Sequence, residues 1–80
     1  MPTPGVSIDA TAVDVTVTDE RLIVTLADGQ ELSAPLAWFS RLSDTTTEQR
    51  QKWRLIGRGH GIHWPDVDED VSVASLLRAA

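Results

Sequence analysis

Residues 57–73 read GRGHGIHWPDVDEDVSV, and how this stretch is read decides the fold. Glycines at 57, 59 and 61 mark backbone that needs positive φ or a close approach, which breaks any helix running in from residue 50. Trp64 before Pro65 directs the chain into an extended exit. Working back, Trp53, Leu55 and Gly57 alternate with Arg54, Ile56 and Arg58, and residues 61–64 are β-branched and aromatic enough to answer them. A second hairpin over 53–64 is therefore favoured over a long helix, with residues 50–57 open to either reading. Working forward, Asp66, Asp68, Glu69 and Asp70 lead to a short apolar-periodic tail, in which Ser72 is placed to cap a helix and Val73, Leu76 and Leu77 return to the core.

The N-terminal half has the other periodicity. In residues 11–17, TAVDVTV, the valines 13, 15 and 17 fall on one face and Asp14 and Thr16 on the other, as in a half-buried strand. RLIVTL repeats the pattern with Leu22, Val24 and Leu26 inward. Asp28-Gly29 predicts a type I′ hairpin turn, in which both central residues take positive φ. The third strand is residues 30–34, with Leu32 facing the core, and the three together form a meander over 12–17, 22–27 and 30–34. Pro35 suits the first turn of a helix over about 35–42, capped by Ser33 or Ala34, with Leu36, Phe39 and Leu42 on one face and Trp38 beside them. Thr45-Thr46-Thr47-Glu48 matches a capping box, so a second short helix starts near Thr46. These elements predict an α+β domain over residues 11–80: an antiparallel sheet, made of the N-terminal meander and a C-terminal hairpin, with two or three short helices on one face. Residues 1–10, with prolines at 2 and 4, are read as a loose arm. Trp38, Phe39, Trp53 and Trp64 are expected to supply much of the core.

Eighty residues bury only about 60% of the surface of the unfolded chain, which leaves little room for a deep pocket. The absence of cysteine removes disulfides, thiolate metal sites and cysteine nucleophiles. No signal-peptide pattern and no apolar span of membrane length occurs, so a cytoplasmic location without membrane contact is expected. The net charge is −5, unevenly spread. Five of the seven cations (Arg41, Arg50, Lys52, Arg54 and Arg58) fall between 41 and 58, whereas the first 31 residues hold six acids against Arg21. An acidic protein repels a phosphate backbone on average and suits a basic partner.

At this point the residues resemble a family. PLAWFSRL (35–42) and TTTEQRQKWRLIGRGHGIHWPDVDEDVSVASLL (45–77) are similar to the pattern of the domain of unknown function 2442 family, small prokaryotic proteins with a P-L-x-W-F-x-R-L segment and a G-x-G-I-H-W-P-x-x-D-E-D-I-S-V tail. The resemblance runs over about residues 12–77 and departs at Asp44, where the family commonly carries alanine. It implies a chain often encoded beside another small protein, in a pair that looks like a toxin–antitoxin module with this member as the antitoxin. Longer relatives append a helix-turn-helix, for which the 80 residues here leave no room.

Three function classes follow. The favoured one is a non-enzymatic protein-interaction module that binds a small basic protein encoded nearby through Arg58, His60, His63, Asp66, Asp68, Glu69 and Asp70, with homodimerisation also open. A second is a nucleic-acid-associated regulator using Arg50, Lys52, Arg54 and Arg58, which lacks a recognition helix long enough to fill a groove. A third is a metal-dependent enzyme at His60, His63 and the acids 66–70. Its spacing is poor, because residues three apart on a strand face opposite ways. No nucleophile elbow, phosphate loop or dinucleotide fingerprint is present, so no catalytic residue, metal or cofactor is assigned. Acids ahead of a helix have a simpler reading, as carboxylates favoured by the helix dipole.

Overall fold

A computed structural model describes residues 11–79, so the arm expected over residues 1–10 lies outside the described residues. Three strands, β1 (Ala12–Val17), β2 (Arg21–Leu26) and β3 (Glu31–Pro35), form one antiparallel sheet in chain order. After a 3₁₀ turn at Leu36–Trp38 come two single-turn helices, α1 (Ser40–Ser43) and α2 (Thr47–Arg50). A second antiparallel sheet follows with β4 (Arg54–Ile56), β5 (Gly61–Trp64) and β6 (Glu69–Ser72), and α3 (Val73–Ala79) closes the chain. The fold is α+β, with both sheets contributing to one apolar cluster: Leu22, Val24 and Leu26 from the first, Ile62, Trp64 and Val71 from the second.

In the meander the alternation of apolar residues sets the register. Val15 pairs with Val24 and Val24 with Leu32, while Val17 pairs with Leu22 and Leu22 with Ala34, so each row puts apolar side chains on one face. Val13 departs from the expected valine row. Ala12 pairs with Leu26 but Asp14 with Thr25, which leaves Val13 as an extra residue in a bulge. The bulge turns Ala12 inward and leaves Val13 51% exposed. The expected type I′ turn is also replaced. Among residues 27–29 only Gly29 has positive φ, at 92°, and its N–H donates to the Leu26 carbonyl at 3.0 Å. The loop thus has three residues with glycine at the left-handed position, the other common way to close a hairpin.

The expected helix over 35–42 is broken in two. Pro35 ends β3, and Phe39, at φ −122° and ψ 79°, interrupts the helical path between the 3₁₀ turn and α1. Leu36 and Leu42 still reach the core, Phe39 packs against it, and Trp38 is carried outward to 56% exposure. Trp38 is therefore not a core residue; the break rotates it away from the Leu36–Leu42 side. The capping box forms one residue later than read: Thr46 accepts from the Gln49 N–H at 3.1 Å, and the Gln49 side chain accepts from the Thr46 N–H at 3.1 Å.

The hairpin reading of 53–64 is the one that forms, with Leu55 opposite Ile62. Its connection runs through Gly57, Arg58 and Gly59, at φ 59°, 59° and 89°. Gly59 is required twice over. Besides its φ, a Cβ there would stand 2.5 Å from Thr11 Cγ2 and 2.9 Å from the Ala12 carbonyl oxygen, because the turn packs on the start of β1. Gly59→Ala is therefore expected to cost about 2 kcal/mol or more, combining left-handed strain with a backbone clash. Gly29→Ala, where φ is similar and no atom lies within 4 Å, should cost about half that. Equal urea midpoints for the two variants would refute the contact with β1.

Candidate functional site

Strand β5 organises the C-terminal half, and its alternation sorts the candidate residues. Ile62 and Trp64 face the core, whereas Gly61 and His63 face outward. His63 stands opposite Arg54 on β4 and Asp70 on β6, so the three form a row across the second sheet. His63 Nδ1 pairs with Asp70 Oδ1. The adjacent row is Ile56, Gly61 and Ser72. Ile56 leans over Gly61, its Cγ1 3.1 Å from where a Cβ would stand, and is 38% exposed.

The residues expected to form one binding surface lie at two ends of this hairpin. Arg58 and His60 belong to the β4–β5 turn; Asp66 and Asp68 belong to the β5–β6 loop beyond Trp64. Four strand residues separate the groups, about 13 Å of extended chain. Arg58 and His60 are exposed and form no side-chain hydrogen bond or ion pair among the described residues, although the His60 carbonyl accepts from the Val73 N–H at 3.0 Å. Among the described residues no group of three histidines, cysteines or carboxylates is arranged to hold a metal, so the His60, His63 and acid-run arrangement does not assemble as one.

The acids do not precede a helix as expected. Glu69 and Asp70 pair in β6 with Trp64 and His63, and the helix begins only at Val73. Its first turn is served by Ser72, whose Oγ accepts from the Ser75 N–H at 3.0 Å. Four different environments therefore hold the four acids. Asp66 lies 3.9 Å from Lys52 Nζ, which also stands 3.8 Å from Glu48. The Glu69 carboxylate accepts from the Asp70 N–H at 3.2 Å, and Asp70 holds His63. Asp68, at φ 53°, forms the exposed corner of the loop with its carboxylate unpaired among the described residues. Its carbonyl accepts from Arg41 Nη1 at 2.9 Å, which ties α1 to this loop.

Two features escaped the sequence reading. Trp38 is exposed three residues before Arg41, on the segment tied to the Asp68 corner. The signal was its absence from the Leu36, Phe39, Leu42 spacing. Arg50 is 8% exposed and is consumed inside the fold. Its guanidinium donates to the Leu42 and Ser43 carbonyls at 3.3 and 3.2 Å, to Thr45 Oγ1 at 3.2 Å and to Asp19 Oδ1 at 2.8 Å. Of the cations offered for nucleic acid, Arg50 is thus withdrawn and Lys52 sits between two acids, which leaves Arg54 and Arg58.

No curated protein matches this chain. A crystal structure of a protein of unknown function from Rhodospirillum rubrum is similar, with a TM-score of 0.73 at 25% sequence identity over 86% of each chain. The family described as "Protein of unknown function (DUF2442)" matches residues 12–80, and this chain belongs to that family.

Proposed function

We propose that this protein is a non-enzymatic interaction module that binds a basic protein through the corner formed by the β5–β6 loop and the segment carrying Trp38. The observation that carries the reading is the Arg41 to Asp68 tether, which joins the segment of a 56%-exposed tryptophan to the acidic loop. A half-exposed tryptophan on a segment tied to an acidic loop suits an interface, where such rings supply binding energy and nearby acids steer the approach. In its finer form, suggested by the family resemblance, the partner is encoded next door and this chain is the antitoxin-like member. Arg58 and His60, at the other end of the hairpin, drop out of this surface.

The test is co-expression with the product of the adjacent gene, followed by association kinetics at two salt concentrations. Joint replacement Asp66→Asn, Asp68→Asn and Glu69→Gln should slow association and flatten its salt dependence, since steering of this kind is screened beyond about 8 Å at physiological salt. Trp38→Ala should raise Kd about thirtyfold, the loss typical of a buried interface anchor. It should leave the melting temperature within a few degrees, because the ring is outside the core. Absence of a complex, or a triple variant that associates as fast as the parent, removes the reading.

A further inference from the structure

The two sheets have four edge strands, β1 and β3 in the first, β4 and β6 in the second. Three carry devices that discourage a further strand. β1 is bulged at Val13, β3 ends in Pro35 and is packed by α3, and β6 carries the acids Glu69 and Asp70 and runs directly into α3. β4 has no bulge and no proline, and its main neighbours are β5 and the turn that follows it. Its outward side chains are also incompletely matched. In the row Arg54, His63, Asp70, the acid on β6 engages the histidine, and Arg54 has no acidic partner among the described residues. Next to it, Ile56 is partly exposed on the same face.

We propose that the β4 edge binds an extended acidic segment of another protein by strand addition, with a carboxylate opposite Arg54 and an apolar residue opposite Ile56. The added strand completes the charge row in the order acid, Arg54, His63, Asp70. Main-chain hydrogen bonds provide the attachment, and the alternate side chains provide the selectivity. This edge is separate from the corner that holds Trp38 and Asp68, and the inference stands independently of that reading.

The probe is a capped peptide, Thr-Val-Val-Glu-Thr, whose central residues in antiparallel register face Ile56, Leu55 and Arg54. Titrated into isotope-labelled full-length protein, it should shift the amides of Arg54–Ile56. Arg54→Ala should weaken binding up to about fivefold, the scale of one cross-strand ion pair. Arg54→Glu should reverse the preference towards a peptide with lysine in place of glutamate. Methylating one alternate set of peptide amides should abolish binding and methylating the other should spare it, because only one set points at β4. Equal effects of the two sets, or shifts confined to other residues, overturn the proposal. So do protection, before peptide is added, of the β4 amides that point away from β5, whether by a second copy or by residues 1–10, and a preference for lysine by the parent protein.

Discussion

Trp64→Ala is expected to lower the free energy of unfolding by about 3–5 kcal/mol, the cost of deleting a large aromatic from a core that cannot collapse around the gap. Trp64 is 0% exposed and is the largest fully buried side chain. It belongs to the same buried cluster as Ile62 and Val71 of its own sheet and Leu22 and Leu26 of the meander. The indole Nε1–H also donates to the Arg50 carbonyl at 3.1 Å, so truncation leaves that acceptor unmatched beside the cavity. An 80-residue domain has about 4–12 kcal/mol of total stability, so the variant should lose between about a quarter and all of it and melt at least about 12 °C below the parent. Trp64→Phe, which keeps most of the apolar contact but loses the hydrogen bond and part of the ring volume, should remain folded with a melting temperature lower by several degrees. Urea denaturation followed by the fluorescence of the remaining tryptophans and far-ultraviolet circular dichroism checks both. A Trp64→Ala protein that melts within a few degrees of the parent would place the ring outside the core.

The second large effect is expected at Arg50. Arg50→Ala should cost about 2–3 kcal/mol, because it strips the donor from the Ser43 carbonyl and one donor from the Thr45 hydroxyl in a partly dry site. The Ser43 carbonyl lies at the C-terminal end of the four-residue helix α1 and accepts from Arg50, whereas the Leu42 carbonyl also accepts from the Thr45 N–H at 3.2 Å and from the Thr45 hydroxyl. The guanidinium fork reaches them and Asp19 in the β1–β2 turn at once, fastening the helical layer to the meander. Arg50→Lys should recover less than half of the loss, since an ammonium group has no planar fork with which to serve acceptors on several sides. Asp19→Asn should change little, because that carboxylate is 91% exposed and screened by solvent. Melts of the three variants in 50 mM and 500 mM salt give the check: Arg50→Ala should be as destabilised in high salt as in low, whereas an effect that vanishes with salt would reduce the site to a surface ion pair.

Periodicity in the sequence determined the elements whose apolar faces are simple. Leu22, Val24 and Leu26 alternate without interruption, and so do Ile62 and Trp64; a slip of one residue in either strand would expose the whole set, so pattern and register had one solution. The glycines at 57, 59 and 61 similarly ruled for the hairpin over a helix, because their backbone demands are local. Tertiary structure alone decided the rest. Val13 is as apolar as Val15, and only the bulge against β2 sends it outward. Glu69, Asp70 and Ser72 have weak strand preference, yet they pair because Ile62 and Trp64 need a third strand beside them and Val71 supplies its buried face. Trp38 and Arg50 exchanged the places that their chemistry suggests, the ring in solvent and the guanidinium inside. The Leu36, Phe39, Leu42 spacing already left the ring off the inward side, but the Ser43 carbonyl at the end of a one-turn helix drew the cation in through packing that no local residue pattern contains.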